Sequence, residues 1–275
     1  MNAHIGSLRG RAWFAALTGG LVSQPGYCKA VLVGDASLAG QPARFIAVVP
    51  DQDNRYPRVR NGEVGLVEGW EIARAVQEVI ARDRDGDNKT AIVAVIDVTS
   101  QAYGRLEEAY GIHQALAAAA GAYASARLAG HAVIGLIVGK AISGAFLAHG
   151  YQANRLVAFN DPEVMVHAMG KESAARITLR SVEALETLAA TVPPMAYDIV
   201  NYASLGLLWR MLDLDDPDQP CASDLALVSD TLVAALADIA ADPDRSLKSR
   251  LGASNRKASA TVREKLRSQW LQAPS

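Results

Sequence analysis

The residues best suited to chemistry are the small ones between positions 139 and 150, above all Ser143, Gly144 and Ala145. They follow the apolar run at 132–138, which is typical of a buried strand, and they open a segment with helical character. A strand, a small-residue turn and a helix start, in that order, direct unpaired backbone N–H groups towards one point. Such a point can hold a negatively charged oxygen, with Ser143 predicted as the helix N-cap. An ordinary strand-to-helix connection has the same pattern.

Two polar side chains accompany this turn. Lys140 is a candidate for pairing with a carboxylate or with a phosphate of a carrier. It is equally a candidate for a structural role, in which its aliphatic stem covers the end of a strand. His149 is a candidate proton donor, because the ordinary pKa of histidine is near 6.5. A core histidine bonded to the backbone is the more common role for such a residue.

The composition excludes several classes of protein. The chain has 275 residues, 50% of them hydrophobic, and a net charge of −2, which gives no reason to expect a nucleic-acid partner. No apolar run reaches the roughly 18 residues of a membrane span, and the first residues lack a signal-peptide pattern. The two cysteines, Cys28 and Cys221, favour a reducing cytoplasm, and no Cys/His spacing predicts a metal site.

The hydrophobic periodicity predicts an α/β core followed by helices. Strands are predicted at 29–33, 44–49, 91–97, 131–138, 155–159 and 164–166. Helices are predicted at 7–17, 66–82, 107–128, 143–152, 172–189, 198–212, 222–240 and 244–271. Alternating strands and helices imply a sheet that is covered by helices through right-handed crossovers.

Several stretches resemble a known family. The strand at 91–97, the turn at 138–146 and the segments 139–160, 160–170 and 197–206 are similar to the carboxyltransferase branch of the crotonase superfamily. Within that branch they resemble the gamma subunits of malonate decarboxylase, over most of the chain. The resemblance implies a crotonase-like (ClpP/crotonase) ββα superhelix. The expected organisation is an α/β core at 1–170 and a helical region at 171–275 that packs on the core or on a partner subunit.

The resemblance also implies a reaction, in which a malonyl thioester loses CO2 and leaves an acetyl thioester. The intermediate enolate is held by backbone oxyanion holes. The catalytic donors would be Gly144 and Ala145, with Ser143 positioning the turn. Lys140, His149 and Tyr103 are the residues that would bind substrate. No metal is implied.

The loop that follows the strand at 91–97 departs from the family pattern. Where carboxyltransferases have Pro-Gly, this chain continues from Asp97 through Ser100 and Gln101. Ser100 and Gln101 are therefore the weaker candidates for the other oxyanion donor. Tyr103 and Gly104 are the candidates to supply the flexibility that the missing glycine would have given.

The partners that the resemblance implies are other subunits of a malonate decarboxylase. They are a beta subunit, which forms a heterodimer with this chain, an acyl carrier protein subunit and an acyl carrier transferase subunit. The substrate would be attached to the CoA-like prosthetic group of the carrier protein. No cofactor is therefore expected on this chain, and biotin is not expected. The basic segment 245–267 is either a solvated helix face or the surface that receives the acidic carrier.

Three alternatives remain open at this point. A biotin-dependent malonyl carboxyltransferase would use the same pocket for carboxybiotin. An enoyl-thioester hydratase or isomerase needs a carboxylate in the pocket; none occurs at 139–152, although Asp161 or Glu163 could reach it. A non-catalytic scaffold subunit would only complete its partner's site.

Overall fold

A seven-stranded sheet organises the fold in the computed structural model, which describes residues 7–272. The strands run in the order β1-β2-β3-β4-β5-β7, and β6 pairs with the end of β4. Only β1 and β2 pair antiparallel; the other pairs are parallel. The strands are β1 (Val31–Leu38), β2 (Gln41–Val48), β3 (Ala91–Val98), β4 (Val133–Ile142), β5 (Arg155–Phe159), β6 (Val166–His167) and β7 (Arg210–Leu212).

The described residues also form ten α-helices. They are α1 (Arg9–Leu17), α2 (Leu66–Arg82), α3 (Arg105–Ala109), α4 (Ile112–Leu128), α5 (Ser143–Ala148), α6 (Lys171–Ile177), α7 (Val182–Ala189), α8 (Ile199–Ser204), α9 (Ala222–Ala241) and α10 (Lys257–Gln272). None of the described helices is long and apolar enough to cross a membrane.

The central strands are buried on both faces. Every residue of β3 is buried, and all of β4 except Lys140 is buried as well. Strands that are covered on both sides by crossover helices have this nearly continuous apolar sequence. Because β3 and β4 are parallel, with Val93 opposite Ile134, their carboxyl ends lie at the same edge of the sheet.

The structure corrects several predicted element boundaries. The helix predicted at 107–128 is two helices, because Gly111 between them takes a left-handed φ of +81°. The strand predicted to end at 138 continues to Ile142, and the helix predicted at 143–152 ends at Ala148. The helix predicted at 172–189 is interrupted between α6 and α7, and two 3-10 turns replace the start of the one predicted at 244–271.

The part of the chain after residue 170 contributes to the same core. The predicted helix 198–212 ends at Ser204, and its last residues form β7, which pairs with β5. On α9, Val228, Leu232 and Ile239 belong to the main hydrophobic cluster. The division of the chain at residue 170 stays a prediction.

Helices α2 and α4 pack closely at Gly69. A Cβ added there would lie 2.8 Å from the backbone carbonyl of Ala115, which cannot move aside as a flexible side chain can. We expect Gly69→Ala to lower the free energy of unfolding by about 1–3 kcal/mol through overpacking. Chemical denaturation measures the change.

The matched control for this substitution is Gly121→Ala on the exposed side of α4, where nothing lies within 4 Å of an added Cβ. Alanine is the better helix former, so this variant should gain about 0.5–1 kcal/mol. Equal effects at the two positions would contradict the close approach of the helices.

Candidate functional site

The candidate site begins where β4 turns into α5. β6 pairs with the last two residues of β4, so that Ile142 lies opposite His167 and the strand persists to the first residue of the helix. Ser143 then makes the whole change of direction, with a φ of +63°. Left-handed backbone costs a non-glycine residue about 1–2 kcal/mol. Strain of this kind is concentrated at functional sites.

Ser143 is not the N-cap that the sequence predicts. The cap position is Ile142, in extended conformation, and no side chain bonds the first helical amides from there. The reason is that pairing with β6 keeps the chain extended for longer than the apolar run alone indicates. Ser143 positions the turn through its backbone conformation and not through a capping hydroxyl.

The loop after β3 meets this turn through Gln101. The Gly144 N–H donates to Gln101 Oε1 over 2.9 Å. Because an N–H needs an acceptor, this bond assigns the oxygen of the Gln101 amide to the side facing Gly144. The loop itself is anchored to Val64, whose N–H donates to Ser100 O and whose carbonyl accepts from Ala102 N–H.

The backbone amides at the start of α5 therefore differ. Within residues 7–272 the hydrogen bonds include one for the Gly144 N–H, to Gln101, and none for the Ala145 N–H. Likewise no acceptor is bonded to Gln101 Nε2 in the described part of the chain. One backbone donor, on the fully buried Ala145, and one side-chain donor, Gln101 Nε2, thus have no hydrogen-bond acceptor among these residues.

Ser143 and Gly144 form part of the wall of a cavity of about 290 Å³, called the α5 cavity below. Its other walls are mostly apolar and come from α5, from the segment around His167 and from the chain between Pro193 and Leu205. The remaining lining residues are Phe146, Leu147, Tyr151, Val166, His167, Ala168, Pro193, Pro194, Ala196, Tyr202 and Leu205.

His167 lies in the wall of the α5 cavity, although no motif of the sequence singles it out. Its ring stacks on Tyr197 with centroids 3.9 Å apart, and Nδ1 lies 3.1 Å from Met169 O. Burial lowers the pKa of His167, which favours the neutral imidazole. The residue lies 24 positions after Ser143 in sequence, and only the β4–β6 pairing brings the two together.

His149 is a core residue, so its assignment to substrate binding is corrected. It is fully buried, and Nε2 lies 3.0 Å from Val95 O while Nδ1 lies 3.0 Å from Tyr123 Oη. A carbonyl only accepts, so Nε2 carries the proton and Nδ1 accepts from the tyrosine hydroxyl. Both nitrogens are used, and burial lowers the pKa of His149 to about 4.

Lys140 lies within β4, and it lines a second cavity, of about 540 Å³, together with Arg9, Asp97 and Glu163. Its backbone N–H donates to the buried Asp97 Oδ1 over 3.1 Å. The residues lining the α5 cavity do not include Lys140. The structure thus separates Lys140 from the turn that it precedes in sequence.

The residues that line the α5 cavity do not include Ser100, Gln101, Tyr103 or the fully buried Ala145 either. The Tyr103 side chain is 43% exposed, and the Arg58 guanidinium lies 4.1 Å from the centre of its ring. Of the three candidates in the loop after β3, only Gln101 contacts the turn.

The carboxylates that a hydratase would need lie elsewhere. Asp161 pairs with Arg9 over 2.7 Å, and Glu163 lines the second cavity. Among the described residues, no aspartate or glutamate lines the α5 cavity.

Family membership is decided by a sequence comparison. Residues 59–270 match the model of the family described as malonate decarboxylase gamma subunit. The chain belongs to this family. The predicted resemblance is thereby confirmed.

Solved structures of the gamma-subunit family agree with this assignment. One is a Pseudomonas malonate decarboxylase hetero-tetramer in complex with coenzyme A, whose matching chain is 64% identical, with a TM-score of 0.92 and coverage of 95% of this chain and 99% of that chain. A Pseudomonas MdcD-MdcE hetero-dimer has a chain that is 60% identical, with a TM-score of 0.88 and the same coverage.

More distant relatives of this gamma-subunit family member extend the comparison. The malonyl-S-ACP:biotin-protein carboxyltransferase MADD of Malonomonas rubra is 34% identical over 194 residues, which is 69% of this chain and 66% of that protein. Transcarboxylase 12S shares the fold at 19% identity, with a TM-score of 0.63 over 86% of this chain and 41% of that chain. The predicted crotonase-like fold is confirmed.

The buried His149 makes the stability of this gamma-subunit family member depend on pH. Its pKa is lowered to about 4 in the folded chain, against 6.5 when unfolded. The stabilisation is therefore complete above pH 6.5 and is lost as pH falls towards 4, because the unfolded chain takes up the proton first. We expect His149→Gln, which has no such titration, to show a shallower loss of unfolding free energy over this range in urea titrations.

The matched control for His149→Gln is His113→Gln, at an exposed position on α4. It should keep the pH profile of the unmodified chain. Identical profiles for all three proteins would contradict the burial of a neutral His149.

Proposed function

We propose that this chain is the gamma subunit of a malonate decarboxylase and forms a heterodimer with a beta subunit. The assembly decarboxylates a malonyl thioester on an acyl carrier protein and releases an acetyl thioester and CO2. The observation that carries the proposal is the 64% identity, over nearly the whole of both chains, to a chain of the Pseudomonas malonate decarboxylase hetero-tetramer.

Decarboxylation of a malonyl thioester requires hydrogen-bond donors to an oxygen and does not require a nucleophile. As CO2 leaves, negative charge collects on the thioester oxygen of the enolate. Preorganised N–H donors aimed at that oxygen lower the barrier, and each contributes about 2.7–4 kcal/mol where one was removed from a protease. The strained Ser143 turn is a rigid support for such donors.

The donors that we assign are the Ala145 N–H and Gln101 Nε2. The Gly144 N–H is already bonded to Gln101 Oε1, and it serves to orient that amide. This assignment revises the expectation that Gly144 and Ala145 donate together. A side-chain amide takes the place of the glycine amide that the Pro-Gly of other carboxyltransferases would supply.

The α5 cavity suits the apolar part of a thioester arm. Phe146, Pro194 and Leu205 give it apolar walls, and Ser143 and His167 are polar residues near its β4–β6 end. Pockets of this kind bind a flexible apolar group and orient it with a few polar contacts. The Pseudomonas relative bound to coenzyme A supports a CoA-like arm as the occupant.

The direct test is reconstitution. The chain is co-purified with a beta subunit and a malonyl-loaded carrier protein, and release of CO2 is measured with and without it. We expect turnover only in the complete assembly. A beta subunit that turns over equally well alone would overturn the catalytic role.

The role of Gln101 is tested by Gln101→Glu and Gln101→Ala. The glutamate still accepts from the Gly144 N–H but has no N–H to donate, so we expect kcat to fall by about 10²–10³-fold. The alanine also lacks the donor and should lose as much. The measurement is steady-state decarboxylation by the assembled enzyme.

The control is Gln114→Glu, which adds the same charge at an exposed position of α4 and should leave kcat unchanged. If Gln101→Ala keeps or raises activity while Gln101→Glu loses it, Gln101 only blocks the Gly144 amide. That result would reject it as a donor.

We propose that the carrier protein docks on α10. This helix buries none of its residues on the described chain, and it exposes Val262, Leu266 and Trp270 at four-residue spacing. Arg263, Lys265 and Arg267 flank this stripe, with Glu264 as the acidic exception. An apolar stripe bordered by cations fits an acidic partner surface. Arg250, which belongs to the same basic segment by sequence, is buried and takes no part.

Charge reversal tests the docking surface. We expect the double variant Arg263→Glu/Lys265→Glu to raise KM for the malonyl-carrier protein about tenfold, which corresponds to about 1.4 kcal/mol, with kcat unchanged. The KM of the unmodified enzyme should rise with salt because the attraction is screened. Kinetics with the carrier-bound substrate measure both effects.

The control variant is Arg11→Glu/Arg84→Glu, which changes the net charge equally at exposed positions of α1 and of the turn after α2. It should behave as the unmodified enzyme. A KM that depends neither on salt nor on α10 charge would exclude this surface.

A biotin-dependent carboxyltransferase is the second candidate function, because the Malonomonas rubra relative is a biotin-protein carboxyltransferase. In that case the carboxyl group would pass to biotin on another protein and not leave as CO2. Avidin separates the two: it should leave the decarboxylase untouched and stop the carboxyltransferase.

We also propose a further subunit and a cellular compartment for the assembly. An acyl carrier transferase subunit loads the carrier, and biotin is not used. The proposed compartment is the cytoplasm, in keeping with two cysteines that are both free thiols.

A further inference from the structure

A segment after α9 crosses behind the α5 cavity. Residues 248–256, called the strap below, form two 3-10 turns, Lys248–Leu251 and Ser254–Arg256, before α10 begins. Most of the strap is exposed or half-buried, but the Arg250 side chain points inward and is 6% exposed.

The Arg250 guanidinium donates its hydrogen bonds to backbone carbonyls. Nη1 donates to Tyr151 O over 2.7 Å, and Nη2 donates to Ala153 O. No carboxylate lies within salt-bridge distance of it among residues 7–272. Burial without a counter-charge lowers the pKa of Arg250 to about 10. Burying a cation is costly unless it is paired or hydrogen-bonded, so the two bonds to carbonyls are what offset the cost for Arg250.

The carbonyls that Arg250 holds belong to the loop that carries one wall of the α5 cavity. Tyr151 lines that cavity, and its ring packs edge-on against Phe146 of α5 with centroids 5.2 Å apart. From the other side, Arg127 Nε donates to Gln152 O over 3.1 Å. Three successive carbonyls of the loop are thus bonded to two arginines.

The strap also reaches the opposite wall. Asn255 Nδ2 donates to Ser204 O at the end of α8 over 3.2 Å, and α8 and the residue after it bring Tyr202 and Leu205 to the cavity. Arg256 Nη1 donates to Arg250 O over 2.9 Å, which joins the two ends of the strap. The strap is therefore one unit in contact with both walls.

We propose that Arg250 is a positioning residue, which sets the Tyr151 wall of the α5 cavity against the α8 wall so that the thioester arm fits between them. That the occupant is a thioester arm rests on the proposed function; the placement of the wall does not. Arg250 acts through the loop and touches no reacting atom.

The wall contacts the arm equally in the ground state and the transition state, so its displacement weakens binding without slowing the bond-breaking step. We expect Arg250→Met, in the assembled enzyme, to raise KM for the malonyl-carrier protein about tenfold while kcat stays within about twofold. A merely structural role would instead lower the fraction of active enzyme, so that kcat falls and KM stays the same.

Two further variants complete the kinetic comparison. Arg250→Lys keeps the charge but reaches only one carbonyl, so its KM should lie between those of the unmodified enzyme and Arg250→Met; it also serves if the methionine variant fails to assemble. Arg44→Met is the control. Arg44 is equally buried but lies on β2, where it pairs with Asp35 and Glu78, and its loss should leave KM unchanged.

Amide hydrogen exchange gives a readout that does not need activity. Arg250→Met should speed exchange at Tyr151 and Ala153, whose N–H groups bond to Phe146 O and Gly150 O, and Arg44→Met should not. If Arg250→Met speeds exchange but the unmodified assembly shows no turnover, the proposed function is rejected and the positioning role is kept. An unchanged KM and unchanged exchange in Arg250→Met would overturn the positioning role itself.

Discussion

The structure depends on how β4 ends. This strand pairs with β3 and β5 along its length and then with β6 over its last two residues. It therefore stays extended to Ile142, and the chain must enter α5 within a single residue. Ser143 makes that change with a left-handed backbone. Its strain is sustained because strands on either side hold β4 in place.

The same constraint brings the parts of the site together. Since β3 and β4 are parallel, the loop after β3 arrives beside the turn after β4, and Gln101 bonds the Gly144 N–H there. Since β6 pairs with the end of β4, His167 arrives on the other side. Residues from three separate segments thus meet around one short helix. A site built on paired strand ends is more rigid than one built on free loops.

Buried polar groups stiffen the surroundings of this helix. His149, at its end, is bonded to β3 through Val95 and to α4 through Tyr123. Arg250 and Arg127 hold the loop that follows. Both ring nitrogens of His149 are bonded, and each arginine donates two hydrogen bonds to backbone carbonyls. A different arrangement of the helix would break these bonds and leave buried polar atoms unpaired. The C-terminal segment thus belongs to the support of the site.

The amino-acid sequence alone determined the strands β3 and β5, the helices α2 and α9 within a residue or so, and the turn of small residues at 143–145. These depend on local periodicity, which is present in the chain itself. It also determined the family, through stretches whose match a family comparison confirms. The length of β4, the left-handed Ser143 and the short strands β6 and β7 depend on pairing with distant segments. Local sequence predicts β6 only approximately, as a strand at 164–166, and carries no signal for the others.

The tertiary structure alone decided which polar residues lie beside the turn. Lys140 and His149 are close to the turn in sequence, yet one faces a second cavity and the other lies in the core. Gln101 and His167 are far from it in sequence and lie beside it in space. The reason is physical: successive residues of a strand or of a helix point in different directions, whereas the ends of paired strands meet at one edge however much chain separates them.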